Sequence, residues 1–257
     1  MESMKKHLGD TKKLYEFFPK SISDCTELAR TIKFDKTHKW HVSLVSLYGS
    51  ILELANSICI LVQGDSGIGI PILLRSMVEA SVDFINLEAN RTYGYHMDAT
   101  NLKEWIKIFE EAKKGDNPYL ADISKLPNLD EILCDHKKQL DELKDKGYSP
   151  LSHFDKFAKS NQAKEYRSIY NFLCCDAHNN IRSLISRHAD INDDQSDYQL
   201  QFLAPINLDS IFHYIDSCIG ILINSTVIVH KALESPMTSK AESLATQFSE
   251  IRKPWMA

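Results

Sequence analysis

Apolar residues recur at three- and four-residue spacing along most of the chain, which is the pattern of amphipathic helices. The clearest case is THKWHVSLVSLYGSILELANSICILVQ, residues 37–63. The same spacing, with stop signals at Gly115 and Gly147, predicts further helices over about 3–17, 20–32, 70–90, 98–114, 128–146, 162–187, 207–233 and 239–252. Only YQLQFLAP, residues 198–205, alternates like a strand, and one strand alone forms no sheet. The pattern therefore predicts an all-α fold.

Charge density divides these helices into a core and an excursion. Residues 116–161 are rich in Lys, Asp and Glu and are interrupted by LPN and GYSPLSH, which is typical of a solvated helical segment that adds little to a core. We therefore predict a single helical domain over 1–257. Its parts are a mostly antiparallel bundle from about 37–115 and 162–233, the charged helical excursion at 116–161, and peripheral N- and C-terminal helices.

Composition and charge narrow the function classes. The chain is 43% hydrophobic with a net charge of −5, so it has no general attraction to nucleic acid or to an anionic membrane. The six cysteines form no CxxC pair, and MESMKKHLGD lacks the apolar stretch of a secretory signal. The apolar run SCIGILINSTVIV, residues 217–229, falls short of the roughly 20 residues of a membrane span and is interpreted as a core helix. We expect a cytoplasmic protein with free thiols and no membrane segment.

Three glycines precede an apolar helix in GDSGIGIPILLRSMVEASVDF, residues 64–84. A phosphate-binding P-loop needs a preceding strand and a Lys after its last Gly, and neither is present. We therefore interpret Gly64, Gly67 and Gly69 as a corner with positive φ angles that turns one helix into an antiparallel neighbour. This turn sets the direction of the helix that carries Arg75 and Glu79.

The helix after the corner is apolar on most sides and keeps a narrow polar stripe of Arg75, Ser76, Glu79, Asp83 and Asn86. Two interpretations stay open. The stripe is either solvated, with an i,i+4 Arg75–Glu79 pair worth a few tenths of a kcal/mol, or it lines a polar groove between helices. In the groove, Arg75 would bind an anion and Glu79 would position Arg75 or exchange protons.

A second polar cluster lies in EYRSIYNFLCCDAHNNIRSLISRH, residues 165–188. Tyr170 falls on the predicted packing face and His178 at its edge, with Asn171 to one side and Arg182 one turn further on. A His at such an edge is either a packing residue or, beside a guanidinium, part of a set that can bind and cleave a phosphodiester.

We expect the two polar clusters to meet, because a polar stripe on a buried helix needs polar partners. Tyr170, Asn171 and Asn86 are then the candidate ligand-binding residues. Adjacent Cys174 and Cys175 point about 100° apart on a helix, so at most one could join His178 at a metal. We therefore expect no metal ion and no cofactor.

These residues carry a resemblance to a known family. The Arg-x3-Glu helix in LLRSMVEASVDFINL, followed by YNFLCCDAHNNI, resembles a bacterial helical family catalogued only as a domain of unknown function, over roughly residues 40–232. Arg75, Glu79, Tyr170 and His178 match that pattern. Cys174 or Cys175 stands where a Ser is expected, which puts the role of that hydroxyl in doubt.

A more distant resemblance is to HEPN domains, which are all-helical, commonly dimeric domains of toxin–antitoxin and phage-defence systems, many of them metal-independent ribonucleases. Their signature is an Arg followed by a His after four to six residues, and RSLISRH, Arg182 to His188, fits it. In a straight helix these two side chains lie about 240° and about 9 Å apart. They converge only if the helix ends or bends between them, or if a second subunit completes the site.

Two functions from different classes are then open. The HEPN resemblance implies a metal-independent ribonuclease that acts on RNA as a homodimer, with an antitoxin as a protein partner; its catalytic candidates are His178, Arg182, Arg75, Glu79 and His188. The alternative is a non-catalytic helical sensing or interaction module that binds an anionic ligand or a partner protein in the Arg75–Glu79 groove. A purely structural polar network is a third interpretation of the same residues.

Overall fold

The structure is a computed structural model that describes residues 2–178, 180–191, 197–204 and 206–256. The described chain is all-helical apart from one short hairpin, as predicted. Its elements are α1 (Glu2–Arg30), α2 (Lys39–Gln63), α3 (Gly69–Ala89), α4 (Tyr93–Lys114), a 3-10 turn (Pro118–Leu120), α5 (Ala121–Ser124), α6 (Leu129–Asp145), α7 (His153–Lys159), α8 (Ala163–Glu165), a π-helix (Tyr166–Tyr170), α9 (Asn171–Ala177), α10 (Ile181–His188), β1 (Ala189–Ile191), β2 (Tyr198–Leu200), α11 (Leu208–Ala232) and α12 (Thr238–Met256).

The N-terminal region forms one helix rather than the two predicted over 3–17 and 20–32. Pro19 lies inside α1, where its missing N–H removes one helical hydrogen bond. Burial outweighs that loss: Phe17, Phe18 and Ile22, on either side of Pro19, are all buried in the main core. Tertiary packing therefore outweighs the tendency of proline to end a helix.

The glycine corner joins α2 to α3 as expected, but by a different backbone geometry. None of its three glycines has a positive φ; the left-handed residue is Asp65, at φ 53°. Asp tolerates this region better than most residues. A Cβ on Gly69 would lie 2.7 Å from Leu61 Cδ1. Gly69 thus lies close to the Leu61 side chain of α2 and does not need a positive φ.

The helix predicted over 162–187 is broken. The helical run ends at Ala177, and a new helix begins after Asn180, whose side chain accepts a hydrogen bond from the backbone N–H of Arg182 at 3.0 Å. This is an N-cap, which competes with a continuous helix. The predicted packing face stops with it, because Ile181 and Ile185 are exposed.

The main core lies between α1, α2, α3, α11 and α12, with the π-helix and α9 closing one side. The two terminal helices, expected at the periphery, are part of it: Phe18 and Cys25 of α1 and Leu244 and Phe248 of α12 are buried there. Fully buried residues at helical spacing, such as Leu44 of α2, explain why these segments form helices.

The charged segment 116–161 contributes more burial than predicted. Leu129, Leu133 and Leu140 of α6 pack with Ile106 and Phe109 of α4 in a second apolar cluster. In addition, Phe157 of α7 is 1% exposed and lies in the main core. Charged residues occupy the outer faces of these helices and apolar residues the inner faces. The overall charge content of the segment therefore did not indicate how much of it is buried.

The strand predicted near 198–205 has a partner. β1 and β2 pair antiparallel, with Ala189 opposite Leu200 and Ile191 opposite Tyr198. The hairpin directly follows α10.

Two helices are long and apolar enough to cross a membrane by length and composition alone, Lys39–Gln63 and Ser210–Ala232. Both supply buried residues to the main core, among them Ile51 and Ile58 of the first helix and Ile215 and Ile219 of the second. Core helices pass the same compositional test.

Candidate functional site

Arg75, Glu79 and Tyr170 form a closed triangle of polar contacts. Arg75 Nη2 lies 2.9 Å from Glu79 Oε1 and donates to the Tyr170 hydroxyl at 2.9 Å. That hydroxyl in turn donates to Glu79 Oε1 at 2.5 Å. The contact expected between the polar stripe of α3 and the segment carrying Tyr170 is therefore present.

The placement of these side chains follows from local structure. Arg75 and Glu79 are one helical turn apart on α3, so they share a face. Tyr170 is the last residue of the π-helix, and Cys174 lies one turn further on in α9. Arg75 Nε donates to Cys174 Sγ at 3.3 Å. The guanidinium is thus held by residues from both sides of the groove.

His153 joins the triangle from a third element, and sequence reasoning missed it. It is the first residue of α7, and its Nδ1 lies 3.5 Å from Glu79 Oε1. Its ring centroid is 6.0 Å from that of Tyr170. The side chain is 54% exposed, so it also faces solvent. We call Arg75, Glu79, His153, Tyr170 and Cys174 the Arg75 cluster.

A capping box fixes the start of α7 and thereby the position of His153. The Ser152 hydroxyl accepts from the Asp155 backbone N–H at 3.2 Å, and the Asp155 carboxylate accepts from the Ser152 backbone N–H at 3.3 Å. The tetrapeptide SHFD carries this signal in the sequence. It could have located the helix start, although not its contact with Glu79.

Burial and neighbouring charges keep both hydrogen-bond donors of the triangle protonated. Burial, and then the Glu79 carboxylate, raise the pKa of the Tyr170 phenol well above its usual range. Burial opposes the charge of Arg75, but the contacts with Cys174 and Glu79 outweigh it and raise the pKa of Arg75. The guanidinium also lies 5.2 Å from the Tyr170 ring. The cluster therefore combines a fixed cation, a neutral phenol and a partly exposed imidazole.

The structure does not bring His178 to this cluster. His178 directly follows α9, and its side chain is exposed. Among the described residues no hydrogen bond, ion pair or ring contact joins it to Arg75, Glu79 or Tyr170. The helix stops at this residue, so the projection that placed His178 on the packing face no longer applies. Asn171 is exposed as well.

Asn86 belongs to a separate contact at the other end of the polar stripe. It is 4% exposed, and its Nδ2 donates to the backbone carbonyl of Lys156 at 2.9 Å. Asp83 beside it accepts from Tyr93 at 2.5 Å and from Lys156 Nζ at 2.9 Å. These bonds attach α4 and α7 to α3. They hold Asn86 in a structural contact rather than in the predicted ligand-binding position.

Arg182 and His188 do not converge within the chain. Helix α10 runs from Ile181 to His188 without a break, so the two side chains stay on different sides of it. Arg182 is exposed, whereas His188 Nδ1 lies 3.3 Å from the carbonyl of Gln201, and its ring is 6.0 Å from that of Phe202. Because α10 does not end between the two residues, a second subunit would be needed to complete a site here.

Two cavities lie apart from the Arg75 cluster. One of about 350 Å³ contains the Asp216–Arg252 ion pair, and another of about 500 Å³ lies beside Trp40. Neither is lined by a residue of the cluster. In the described ranges, no group of three or more His, Cys, Asp or Glu side chains could hold a metal ion.

Comparison with known proteins gives a family but no characterised relative. Neither the curated proteins nor the solved structures contain a match. A family model described as a family of unknown function (DUF5677) matches residues 41–197, which include the whole Arg75 cluster. This confirms the resemblance to a helical family of unknown function and adds no support to the HEPN resemblance. The chain belongs to this family of unknown function, DUF5677.

Proposed function

We propose that the chain is a metal-independent ribonuclease whose reaction centre is the Arg75 cluster. One observation carries the proposal: the same oxygen, Glu79 Oε1, lies 2.9 Å from Arg75 Nη2 and 3.5 Å from His153 Nδ1. A carboxylate that orients an imidazole beside a guanidinium supplies both a proton-transfer group and a charge stabiliser. Hydrogen bonds in such sites often tighten only when the substrate is bound.

The proposed reaction is transesterification of RNA. In the proposed reaction Glu79 orients His153 through Nδ1, which lies 3.5 Å from Oε1, and Nε2 accepts the proton of a ribose 2′-hydroxyl. The 2′-oxygen forms a bond to phosphorus while the bond from phosphorus to the 5′-oxygen breaks. His153 then returns the proton to the leaving 5′-oxygen. The products are a 2′,3′-cyclic phosphate and a 5′-hydroxyl.

Arg75 supplies the electrostatic part of this proposal. Its Nε and Nη2 are engaged by Cys174, Tyr170 and Glu79, which fixes the plane of the guanidinium. Its Nη1 has no protein acceptor in the part of the chain that the structure describes. That nitrogen is left to stabilise charge on the phosphorane oxygens. In this proposal His153 takes the role that the sequence pattern gave to His178.

The experiment is cleavage of a labelled RNA oligonucleotide in the presence of EDTA. Wild-type protein is expected to cleave, and His153→Asn to lose about 10²–10⁴-fold of the rate. Because His153 is half exposed, the melting temperature should change little. His178→Asn is the matched control and should keep the wild-type rate. Parallel purification of His153→Asn also controls for contaminating nuclease, since equal cleavage by both proteins would overturn the proposal.

The HEPN resemblance adds a homodimer to the proposal. Phe172, Ile181 and Ile185 are large apolar side chains that are 68%, 69% and 46% exposed. Exposed apolar patches on helices are typical of subunit interfaces. In sedimentation velocity, Ile181→Lys should then dissociate the dimer, whereas Ile60→Lys, at a position on α2 that is 58% exposed, should not. A wild-type monomer would remove this part of the proposal.

A non-catalytic binding module is the second candidate, and one observation favours it. Arg75, Glu79 and Tyr170 already satisfy one another, which a purely structural or ligand-sensing network would also require. Absence of cleavage by wild-type protein would support this candidate. In either case the proposed setting is cytoplasmic, in a toxin–antitoxin or phage-defence system, with an antitoxin or other protein partner.

A further inference from the structure

A second polar groove lies where the N-terminal ends of α2 and α4 come together. It encloses about 500 Å³ and is lined by Trp40, Ser43, Arg91, Tyr95, Asp98 and Asn101, among others. This volume is in the range of small-molecule pockets, roughly 300–1,000 Å³. We call it the Trp40 groove. It shares no residue with the Arg75 cluster, so the inference does not rest on the proposed ribonuclease reaction.

Aromatic surface and a free cation occur together in this groove. The Arg91 guanidinium lies 4.4 Å from the Trp40 ring centroid. Arg91 is exposed, and within the described ranges no carboxylate pairs with it. Tyr95 is 46% exposed, with its ring 4.8 Å from that of Tyr148. Planar ligands stack on such rings and on guanidinium planes.

The charge of the groove favours an anion despite the acidic chain. Lys39 and Asp98 neutralise each other at 2.6 Å, which leaves Arg91 as the uncompensated charge of the three. Neither α2 nor α4 has a side chain capping its N-terminus or an acidic residue in its first turn. Helix N-termini of this kind add positive potential beside Arg91.

We infer that the Trp40 groove binds a nucleotide, with the base stacked against Tyr95 and the phosphate held by Arg91, which lies over the Trp40 ring. Asn101 and Ser43 line the groove and make no side-chain hydrogen bond in the described structure. Their polar atoms are therefore available to hydrogen-bond to the edge of the base. The ligand is either a free nucleotide or the terminal nucleotide of a single strand, because both present the same base and phosphate.

Calorimetric titration of the full chain with AMP, GMP, UMP and CMP tests this inference. At least one nucleotide is expected to bind, and Arg91→Gln should weaken that binding about tenfold or more through loss of a charge-assisted contact. Arg167→Gln is the matched control, because Arg167 is also exposed and lies over an aromatic ring, 5.4 Å from that of Phe154, but outside the groove. Tyr95→Ala should also weaken binding, and its melting temperature is measured in parallel because the Tyr95 ring packs 4.8 Å from that of Tyr148.

Ligands that carry only the base and sugar, or only the phosphate, test the two kinds of contact separately. The nucleoside and inorganic phosphate should each bind about tenfold or more weakly than the nucleotide, since each lacks half of the contacts. If a 5′-phosphorylated tetranucleotide of the same base competes with the nucleotide, the natural ligand is a strand end. If it does not compete, the ligand is a free nucleotide. Lack of binding by all four nucleotides, or equal binding by wild type and Arg91→Gln, would overturn the assignment.

Discussion

Tyr170 donates its hydroxyl to Glu79 at 2.5 Å, although 91 residues separate them in the chain. The same hydroxyl accepts from Arg75 at 2.9 Å. Tyr170 is only 3% exposed, so water cannot replace these bonds easily. One phenol therefore joins the π-helix to both Arg75 and Glu79 of α3.

Removing that hydroxyl should destabilise the fold. Tyr170→Phe leaves Arg75 and Glu79 paired but takes one partner from each, and we expect the free energy of unfolding to fall by about 1–3 kcal/mol. Urea denaturation at neutral pH measures it. Tyr166→Phe is the control, because Tyr166 stacks on Tyr170 at 5.2 Å and its hydroxyl has no hydrogen-bond partner in the described chain. Equal losses in the two variants would contradict a role for the hydroxyl.

Sequence reasoning found the parts of the Arg75 cluster that lie on regular helices. The i,i+4 spacing of Arg75 and Glu79 and the packing position of Tyr170 were enough to predict their contact. His153 follows a loop, where no period predicts which residue faces the core. His178 was predicted at the cluster because nothing in a 100° projection shows that the helix stops there. Contacts from loops and helix ends depend on tertiary structure.

Cys174 offers a test of the contact with Arg75 Nε. Cys174→Ala removes the acceptor and should lower the free energy of unfolding by about 0.5–1.5 kcal/mol. Cys174→Ser keeps an acceptor and should recover part of that loss. Cys175→Ala is the control, since Cys175 is exposed. Thermal and urea unfolding of the three variants would contradict the contact if Ser and Ala gave the same loss at position 174.

The fold was predictable where local signals and packing agree. Helices α2, α3, α6 and α11 begin and end within about two residues of the sequence expectation, which is the usual uncertainty of helix ends. Pro19 and Asn180 show the two ways in which local signals mislead. Packing kept a helix intact around Pro19, whereas the Asn180 cap broke a helix whose apolar spacing continued. Only the tertiary structure decides which effect is larger.

Two glycines of the α2–α3 hairpin should respond to alanine by different amounts. A Cβ at Gly69 would lie 2.7 Å from Leu61 Cδ1, so the Leu61 side chain must rotate, and Gly69→Ala should change the free energy of unfolding by less than about 0.5 kcal/mol because this rotation offsets the gain in helix propensity. Gly49 lies inside α2 with nothing within 4 Å of a Cβ, so Gly49→Ala should stabilise by about 0.5–1 kcal/mol. Urea midpoints of both variants measure the difference directly. Equal stabilisation by the two substitutions would contradict the contact between Gly69 and Leu61.

His230 gives the fold a pH dependence. It is fully buried near the end of α11, its Nδ1 lies 2.8 Å from the Ser235 hydroxyl, and its Nε2 is buried without a hydrogen-bond partner in the described chain. Burial lowers the pKa of His230 in the folded chain. In the unfolded chain the imidazole titrates near its usual value of about 6.5. As the pH falls below that value, His230 is protonated in the unfolded state while it stays neutral in the folded state.

The contribution of His230 is therefore present above the unfolded pKa and is lost as the pH falls toward the lowered folded pKa. We expect the free energy of unfolding of the wild type to decrease from pH 7.5 to pH 5, and His230→Gln to decrease less over the same interval. Urea curves at half-unit steps measure both slopes. The difference between the slopes is the readout, because Gln at a buried site also changes stability by a constant amount at every pH. Parallel slopes would show that the folded chain accepts the proton on His230 as readily as the unfolded chain does.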